Sequence, residues 1–135
     1  MNKHIFIFFI MLTVESQSHD DIILIPHSHD DLGWNWTVME YYNDKVRRIF
    51  DSTIQSLLDN PKRKFVYSEV GYLKIYLNED PNTRDEKINK LKKLMQNGQW
   101  EFVNGGISQS DEACPYYEDI MENYFYGLNY LKNNF

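Results

Sequence analysis

Two histidines and an aspartate stand at alternate positions near the start of the chain: His27, His29 and Asp31. If the backbone there is extended, alternation places all three side chains on one side, with Ser28 and Asp30 on the other. Imidazole nitrogen and carboxylate oxygen are ligands that zinc accepts at about 2.0–2.2 Å. The spacing predicts part of a metal site. The alternative is that the histidines end a strand and hydrogen-bond to the backbone.

Short apolar runs predict the strands that would position these residues. The β-branched run at 22–25 predicts a strand buried on both faces, and residues 65–70 and 100–103 predict two more. Helical patterns separate the three runs. The sequence therefore predicts an α/β fold of parallel β-strands joined by crossover helices.

The helices are predicted from apolar spacing and from their end signals. Apolar residues at helical intervals predict an amphipathic helix through residues 38–60. Thr83 and Glu86 predict a capping box at the start of the next helix, and Asn97-Gly98 predicts its end. Pro115 is predicted to open the last helix.

The chemically active side chains follow the predicted strands. In parallel α/β folds, binding and catalysis collect at the carboxyl ends of the strands. Residues 27–31 follow the first strand, Glu69 ends the second, and Asp111 with Glu112 follow the third. We therefore expect one functional edge.

Alternate histidines do not name an enzyme, because amidohydrolases and phosphoesterases of the polymerase-and-histidinol-phosphatase type also carry His-x-His after a first barrel strand. The neighbouring residues discriminate. Residues 27–34, HSHDDLGW, resemble the first zinc motif of glycoside hydrolase family 38, the class II or lysosomal-type α-mannosidases. Residues 63–70, RKFVYSEV, and 98–106, GQWEFVNGG, with Asp-Glu-Ala at 111–113, resemble the second and third strands of that family.

The resemblance implies a role for each residue of the first motif. His29 and Asp31 match two ligands of a single zinc ion, and Asp31 also contacts the substrate. Trp34 matches the aromatic residue that stacks on mannose, where an indole covers the apolar sugar face and leaves the hydroxyls free. The alternative for Trp34 is core packing at a helix start. His27 matches a position that is not a ligand, which implies that it supports the metal site from outside the ligand shell.

The resemblance also implies catalytic groups that this sequence does not contain. Family members take their nucleophile, which also binds zinc, from an Asp-Pro-Phe-Gly motif, and they use a further aspartate as acid and base. Neither is found here, so we assign no catalytic residue. Asp111 and Glu112 match a different segment of the family and are not assigned as the nucleophile. We expect residues 19–135 alone to be inactive.

The sequence therefore predicts the truncated N-terminal part of a family 38 catalytic domain at 19–135, the first three units of a (β/α) barrel-like domain. Its predicted function is that of a zinc-dependent, retaining α-mannosidase segment acting on the terminal α-mannose of N-glycans. Two alternatives remain open. One is an inactive sugar-binding remnant, and the other is a metal-dependent amidohydrolase or phosphoesterase in which His27 is a ligand.

Composition limits the compartment and the partners. Lys3 and His4 precede a short apolar run, which predicts a signal peptide at 1–18 and no membrane anchor. The net charge of −6 argues against nucleic acid as a partner. We expect a lysosomal or secreted protein of the secretory pathway that acts on mannose-containing N-glycans. Cys114 has no second cysteine to pair with in this sequence, and the sequon at Asn35 is expected to be unused because it adjoins Trp34.

Overall fold

The structure is a computed structural model, and it describes residues 22–111 and 113–135. The predicted signal peptide and Glu112 lie outside the described residues. Within these ranges the elements are α1 (Val38–Tyr41), a π-helical segment (Tyr42–Val46), α2 (Arg47–Asp59), β1 (Phe65–Tyr67), α3 (Val70–Asn78), α4 (Arg84–Gln96), β2 (Trp100–Phe102) and α5 (Tyr117–Asn134).

The two strands form a small parallel sheet. Phe65 pairs with Trp100, and Tyr67 pairs with Phe102. The other edge of β1 meets the chain before His29, where His27 forms an isolated parallel bridge to Val66 and the Val66 amide donates to the Pro26 carbonyl at 3.0 Å. Mixed helices around a parallel pair agree with the predicted α/β class.

The core lies between this sheet and the helices. Residues at helical spacing along the first helical run are buried against it, because such spacing presents one face of a helix to the sheet: Val46, Phe50, Ile54 and Leu57. The Phe50 ring lies 4.7 Å from the rings of both Tyr67 and Tyr76, measured between centroids. This aromatic cluster joins α2, α3 and β1 into one packed unit.

Gln99 ties the end of α2 to the start of β2. Its buried side-chain amide donates to the carbonyls of Leu57, Asn60 and Arg63 at 2.8, 3.1 and 3.3 Å. A helix end leaves carbonyls without intrahelical partners. One side chain satisfies this group of carbonyls and fixes where the chain turns towards β1.

The predicted first strand is wrong in the described structure. Residues 22–26 have no strand assignment, and Ile22 is 86% exposed. A strand of this composition gains its stability by being covered on both faces. Among the described residues, nothing covers either face of this run, and its pairing is limited to the bridge at His27.

The predicted capping box at Thr83 is also wrong. Thr83 has helical backbone angles, φ −103° and ψ −3°, and makes no side-chain cap; its hydroxyl donates instead to the Asp80 carbonyl at 3.2 Å. A capping box lies at Thr37 and Glu40 at the start of α1. An extended backbone at Thr37 turns its hydroxyl towards the first turn, which the angles at Thr83 prevent.

Two other predicted helix-end signals lie at or near the observed helix ends. Helix α4 ends at Asn97-Gly98, where Gly98 has a φ of +65° that suits glycine. Helix α5 begins at Tyr117, two residues after the predicted opening at Pro115. Within the two described ranges, no helix combines the length and the apolar character that crossing a membrane would require.

Candidate functional site

His29 and Asp31 face each other at the carboxyl end of the sheet. His29 Nε2 lies 3.3 Å from Asp31 Oδ1, and the two side chains are 65% and 48% exposed. On the other side of the segment, the Ser28 hydroxyl donates to Asp30 Oδ2 at 2.7 Å, and Asp30 is buried. The backbone therefore separates the His29–Asp31 pair from the Ser28–Asp30 pair, as alternation requires.

The separation of this donor pair fits a shared zinc ion. Two ligands at about 2.0–2.1 Å from a tetrahedral ion stand roughly 3.3 Å apart. Among the described residues, no group of three or more His, Cys, Asp or Glu side chains is arranged to hold a metal. The described chain therefore offers two donors, about half of a four-coordinate shell. His27 is exposed, and its backbone pairs with β1.

The loop that carries Asp31 is held by α3. The Tyr72 hydroxyl donates to the Asp31 carbonyl at 2.7 Å, and the Gly33 amide donates to the same carbonyl at 2.8 Å. Gly33 has a φ of +88°, which a side chain would strain. Leu32 packs close to Gly71, so the first turn of α3 fixes the backbone beneath Asp31.

Two indoles lie in the bend that follows. Trp34 is 76% exposed, which excludes core packing for it in the described structure. Trp36 is also exposed, and its carbonyl accepts a hydrogen bond from the Trp34 amide at 3.3 Å. The exposed indole of Trp34, three positions after Asp31, is available as an aromatic platform for a ligand.

Glu69 is the residue of this edge whose setting the sequence did not reveal. It lies between β1 and α3, is 1% exposed, and its Oε2 has no hydrogen-bond partner among the described residues. Burial raises the pKa of Glu69 and outweighs hydrogen bonds from Ser68 and from the backbone, which lower it; the Asp30 charge adds to the rise. The buried Tyr67 hydroxyl also lacks a partner in the described part, and its pKa is raised by burial and by the Asp30 charge.

Glu69→Gln is expected to make the protein less sensitive to rising pH. A raised folded-state pKa means that wild-type stability is complete below the ordinary value near 4.5 and falls as pH rises through the folded value. The amide cannot ionise, so the advantage of the variant should grow across that window and then level off. Urea unfolding between pH 4 and 8 measures it, with exposed Glu101→Gln as control. A constant difference between Glu69→Gln and wild type would contradict the assignment.

Asp111, which follows β2, forms hydrogen bonds within its own turn. Asp111 is exposed, and its carboxylate accepts the Ala113 amide at 2.8 Å, which lowers the pKa of Asp111 together with a hydrogen bond to Cys114. Cys114 is exposed and unpaired, and its pKa is raised by the hydrogen bond and the charge of Asp111. Nothing in this geometry gives Asp111 a catalytic role.

Fold and donors together define an α/β segment with a His–Asp donor pair at the carboxyl end of parallel strands. Residues 20–135 match the N-terminal domain of the glycosyl hydrolases of family 38. The chain therefore belongs to that family.

Curated proteins with similar sequences are named as α-mannosidases. An α-mannosidase of Arabidopsis thaliana is 39% identical over 123 residues, covering 85% of this chain and 12% of the relative. A lysosomal α-mannosidase of Dictyostelium discoideum is 37% identical over 123 residues, with the same two coverages. Human alpha-mannosidase 2 is 35% identical over 127 residues, covering 91% of this chain and 11% of the relative. The chain thus spans about an eighth of the length of these relatives.

Proposed function

We propose that this chain is the zinc-binding opening segment of a retaining α-mannosidase that removes terminal α-mannose from N-glycans. The observation that carries the proposal is the 3.3 Å separation of His29 Nε2 and Asp31 Oδ1, with the exposed indole of Trp34 three positions after Asp31, in a chain of family 38. The segment would supply the first three units of a (β/α) barrel-like catalytic domain.

Different side chains of this protein have separate roles in binding the sugar. Trp34 covers the apolar face of the terminal mannose, and Asp31 accepts hydrogen bonds from its hydroxyls. His29 and Asp31 hold zinc, which when bound supplies Lewis-acid polarisation and orients the substrate. His27 supports the loop from outside the ligand shell. The buried Asp30 keeps its carboxylate away from the ligand side.

The bond-breaking groups are proposed to come from outside the segment. A retaining glycosidase needs a nucleophilic carboxylate and an acid/base carboxyl about 5–5.5 Å apart. We assign neither role to a described residue, because Asp111 is exposed and tied to a local turn.

The substrate and the compartment are proposals as well. Two of the relatives are named lysosomal, which supports lysosomal or secreted localisation after removal of residues 1–18.

A chimera tests the proposal directly. Residues 20–135 would replace the matching segment of the Dictyostelium lysosomal α-mannosidase, with that parent enzyme as control. The folded chimera should hydrolyse an aryl α-mannoside, lose activity on chelation, regain it with zinc, and release the α-anomer first. Circular dichroism checks the fold.

The alternatives give different outcomes in the same experiment. A folded chimera that binds mannoside without turnover would favour the sugar-binding remnant. Hydrolysis of amides or phosphate esters in place of mannosides would favour the amidohydrolase or phosphoesterase hypothesis.

A further inference from the structure

Two buried polar side chains lie at the carboxyl end of β1. Exposure alternates along residues 65–69, so that Tyr67 and Glu69 point into the protein, and each is 1% exposed. Glu69 lies just after the strand and keeps an extended backbone, with φ −85° and ψ 93°. The period of two therefore continues to Glu69 and sets both side chains on one face. The strand ends in a buried phenol and a buried carboxyl.

Asp30 meets these two side chains from the neighbouring segment. His27 forms a parallel bridge to Val66. The same register, carried forward by three residues, sets Asp30 beside Glu69. Asp30 is buried, and its charge raises the pKa of both Tyr67 and Glu69. The Asp30 carboxylate is therefore within electrostatic reach of both groups, on the side of the segment opposite the donor pair.

The hydrogen bonding of the phenol and the carboxyl is incomplete. The Tyr67 hydroxyl and Glu69 Oε2 are closed to solvent, and within the described ranges neither has a hydrogen-bond partner. Buried polar atoms in that state lower the stability of a fold, whereas apolar side chains of similar shape would not. Local choices that oppose stability are found mainly at functional sites. The two side chains therefore indicate a role other than stabilising the core.

We propose that Tyr67 and Glu69 are positioning residues that orient the donor pair by holding the Asp30 carboxylate. The inference rests on the proposed function, because the donor pair is taken to bind zinc. Asp30 stands between the two donors in sequence, so the direction of its side chain sets the directions of both neighbours. A phenol and a protonated carboxyl donate hydrogen bonds and a carboxylate accepts them, so the three groups are chemically matched. Tyr72 fixes the backbone through the Asp31 carbonyl, and the two buried groups fix its rotation.

Apolar replacements separate positioning from stability. Tyr67→Phe and Glu69→Met remove the donors and keep most of the volume, so the urea midpoint of the full chain at pH 7 should stay level or rise. The zinc dissociation constant, measured by competition with a chelator, should nevertheless rise about tenfold. Glu69→Gln keeps a donor and should bind zinc as wild type does. Unchanged zinc binding by both folded apolar variants would overturn the positioning role.

Tyr42→Phe is the matched control on another element. Tyr42 is a buried tyrosine of the π-helical segment, and its hydroxyl donates to Glu79. Losing that hydroxyl should lower the urea midpoint and leave zinc binding unchanged, the reverse of the result for Tyr67→Phe. If Tyr67→Phe lost stability and zinc affinity together, its hydroxyl would have a structural role only and the inference would fail.

A double-mutant cycle tests the route through Asp30. In an Asp30→Ala background, Tyr67→Phe should cause no further loss of zinc affinity, because the carboxylate that the tyrosine holds is gone. Losses that add in full would show that Tyr67 acts independently of Asp30, which would overturn the mechanism.

Side-chain couplings in the metal-free full chain give a readout that does not depend on zinc. Three-bond couplings of His29 and Asp31 should indicate a single χ1 rotamer for each in wild type and averaging in Tyr67→Phe. If the couplings respond to Tyr67→Phe but wild type binds no zinc, the proposed function is overturned and the positioning role stands. If wild type binds zinc while neither the couplings nor the affinity respond, the positioning role is overturned and the proposed function stands.

Discussion

Asp31→Ala is expected to lower mannoside turnover by the chimera at least about a thousandfold, a loss of roughly 4 kcal/mol of transition-state stabilisation. The alanine would remove the carboxylate that we propose binds both zinc and the sugar hydroxyls. Its backbone position should persist, because Tyr72 and Gly33 both donate to the Asp31 carbonyl rather than to its side chain. The measurements are kcat/KM with an aryl α-mannoside and the zinc content of the purified protein.

The histidines provide the matched controls for Asp31. His29→Ala should be as severe as Asp31→Ala, since it removes the other donor of the pair. His27→Ala should be milder, about tenfold to a hundredfold, as expected for a residue outside the ligand shell. Near-wild-type turnover by the Asp31→Ala chimera would contradict the assignment. Loss of zinc in His27→Ala as complete as in His29→Ala would favour the amidohydrolase hypothesis.

Gly127→Ala is expected to destabilise the protein by about 1–3 kcal/mol, even though alanine is the better helix former by about 1 kcal/mol. A Cβ at Gly127 would stand 2.6 Å from the Gly106 carbonyl carbon and 2.8 Å from the Ile107 amide nitrogen, and still closer to the Gly105 carbonyl oxygen. All three are backbone atoms, which cannot rotate out of the way as a side chain can. Helix α5 would have to move away from the loop at residues 105–107, which we call the glycine loop.

Urea unfolding compares this variant with Asn133→Ala, an exposed position on the same helix. Asn133→Ala should gain a few tenths of a kcal/mol from helix propensity alone. If Gly127→Ala proved as stable as wild type, the close approach of α5 to the glycine loop would be wrong.

The effect of Gly127→Ala should extend to the segment from Pro26 to Asp31, which we call the ligand loop. The first amides of α3 donate to the glycine loop, Val70 to the Gly106 carbonyl at 3.1 Å and Gly71 to the Ile107 carbonyl at 2.8 Å. Helix α3 in turn holds Asp31 through Tyr72. A displaced loop should therefore also weaken zinc binding.

Periodicity predicted most of the elements. The runs at 65–67 and 100–102 became strands because apolar and aromatic side chains there can be buried against helices that the same sequence supplies. The run at 22–25 is wholly apolar but finds no cover among the described residues. An apolar composition shows that a segment can be buried, but it becomes a buried strand only where other elements cover it.

The donor pair could be predicted because its chemistry is local. His29 and Asp31 are two residues apart, and alternation is enough to bring them together. The setting of Glu69 is not local, because this residue is buried between β1 and α3 and its carboxyl is influenced by the charge of Asp30, which is far away in sequence. The contact between Gly127 and Gly105 joins residues with no shared pattern, so no spacing in the sequence could have indicated it.

Glu79 shows that charge contacts between separate elements also cannot be predicted from sequence spacing. Burial alone would raise the pKa of Glu79, but hydrogen bonds from Lys87 and Tyr42 and the charges of Lys87 and Arg47 outweigh it and lower that pKa. These partners come from the π-helical segment, α2 and α4. A charge pattern along one helix predicts neighbours four residues away, and it says nothing about a carboxylate shared by three elements.

The segment from Pro26 to Asp31 is tied to the protein at both of its ends. The Pro26 carbonyl accepts the Val66 amide, and the Asp31 carbonyl accepts the Tyr72 hydroxyl. Fixing the backbone of one residue costs about 1–2 kcal/mol of conformational entropy, and folding has already met that cost for the two tied residues. A ligand that bridges His29 and Asp31 has only a short span left to order. Amide hydrogen exchange at Val66 would therefore report how often the ligand loop comes free.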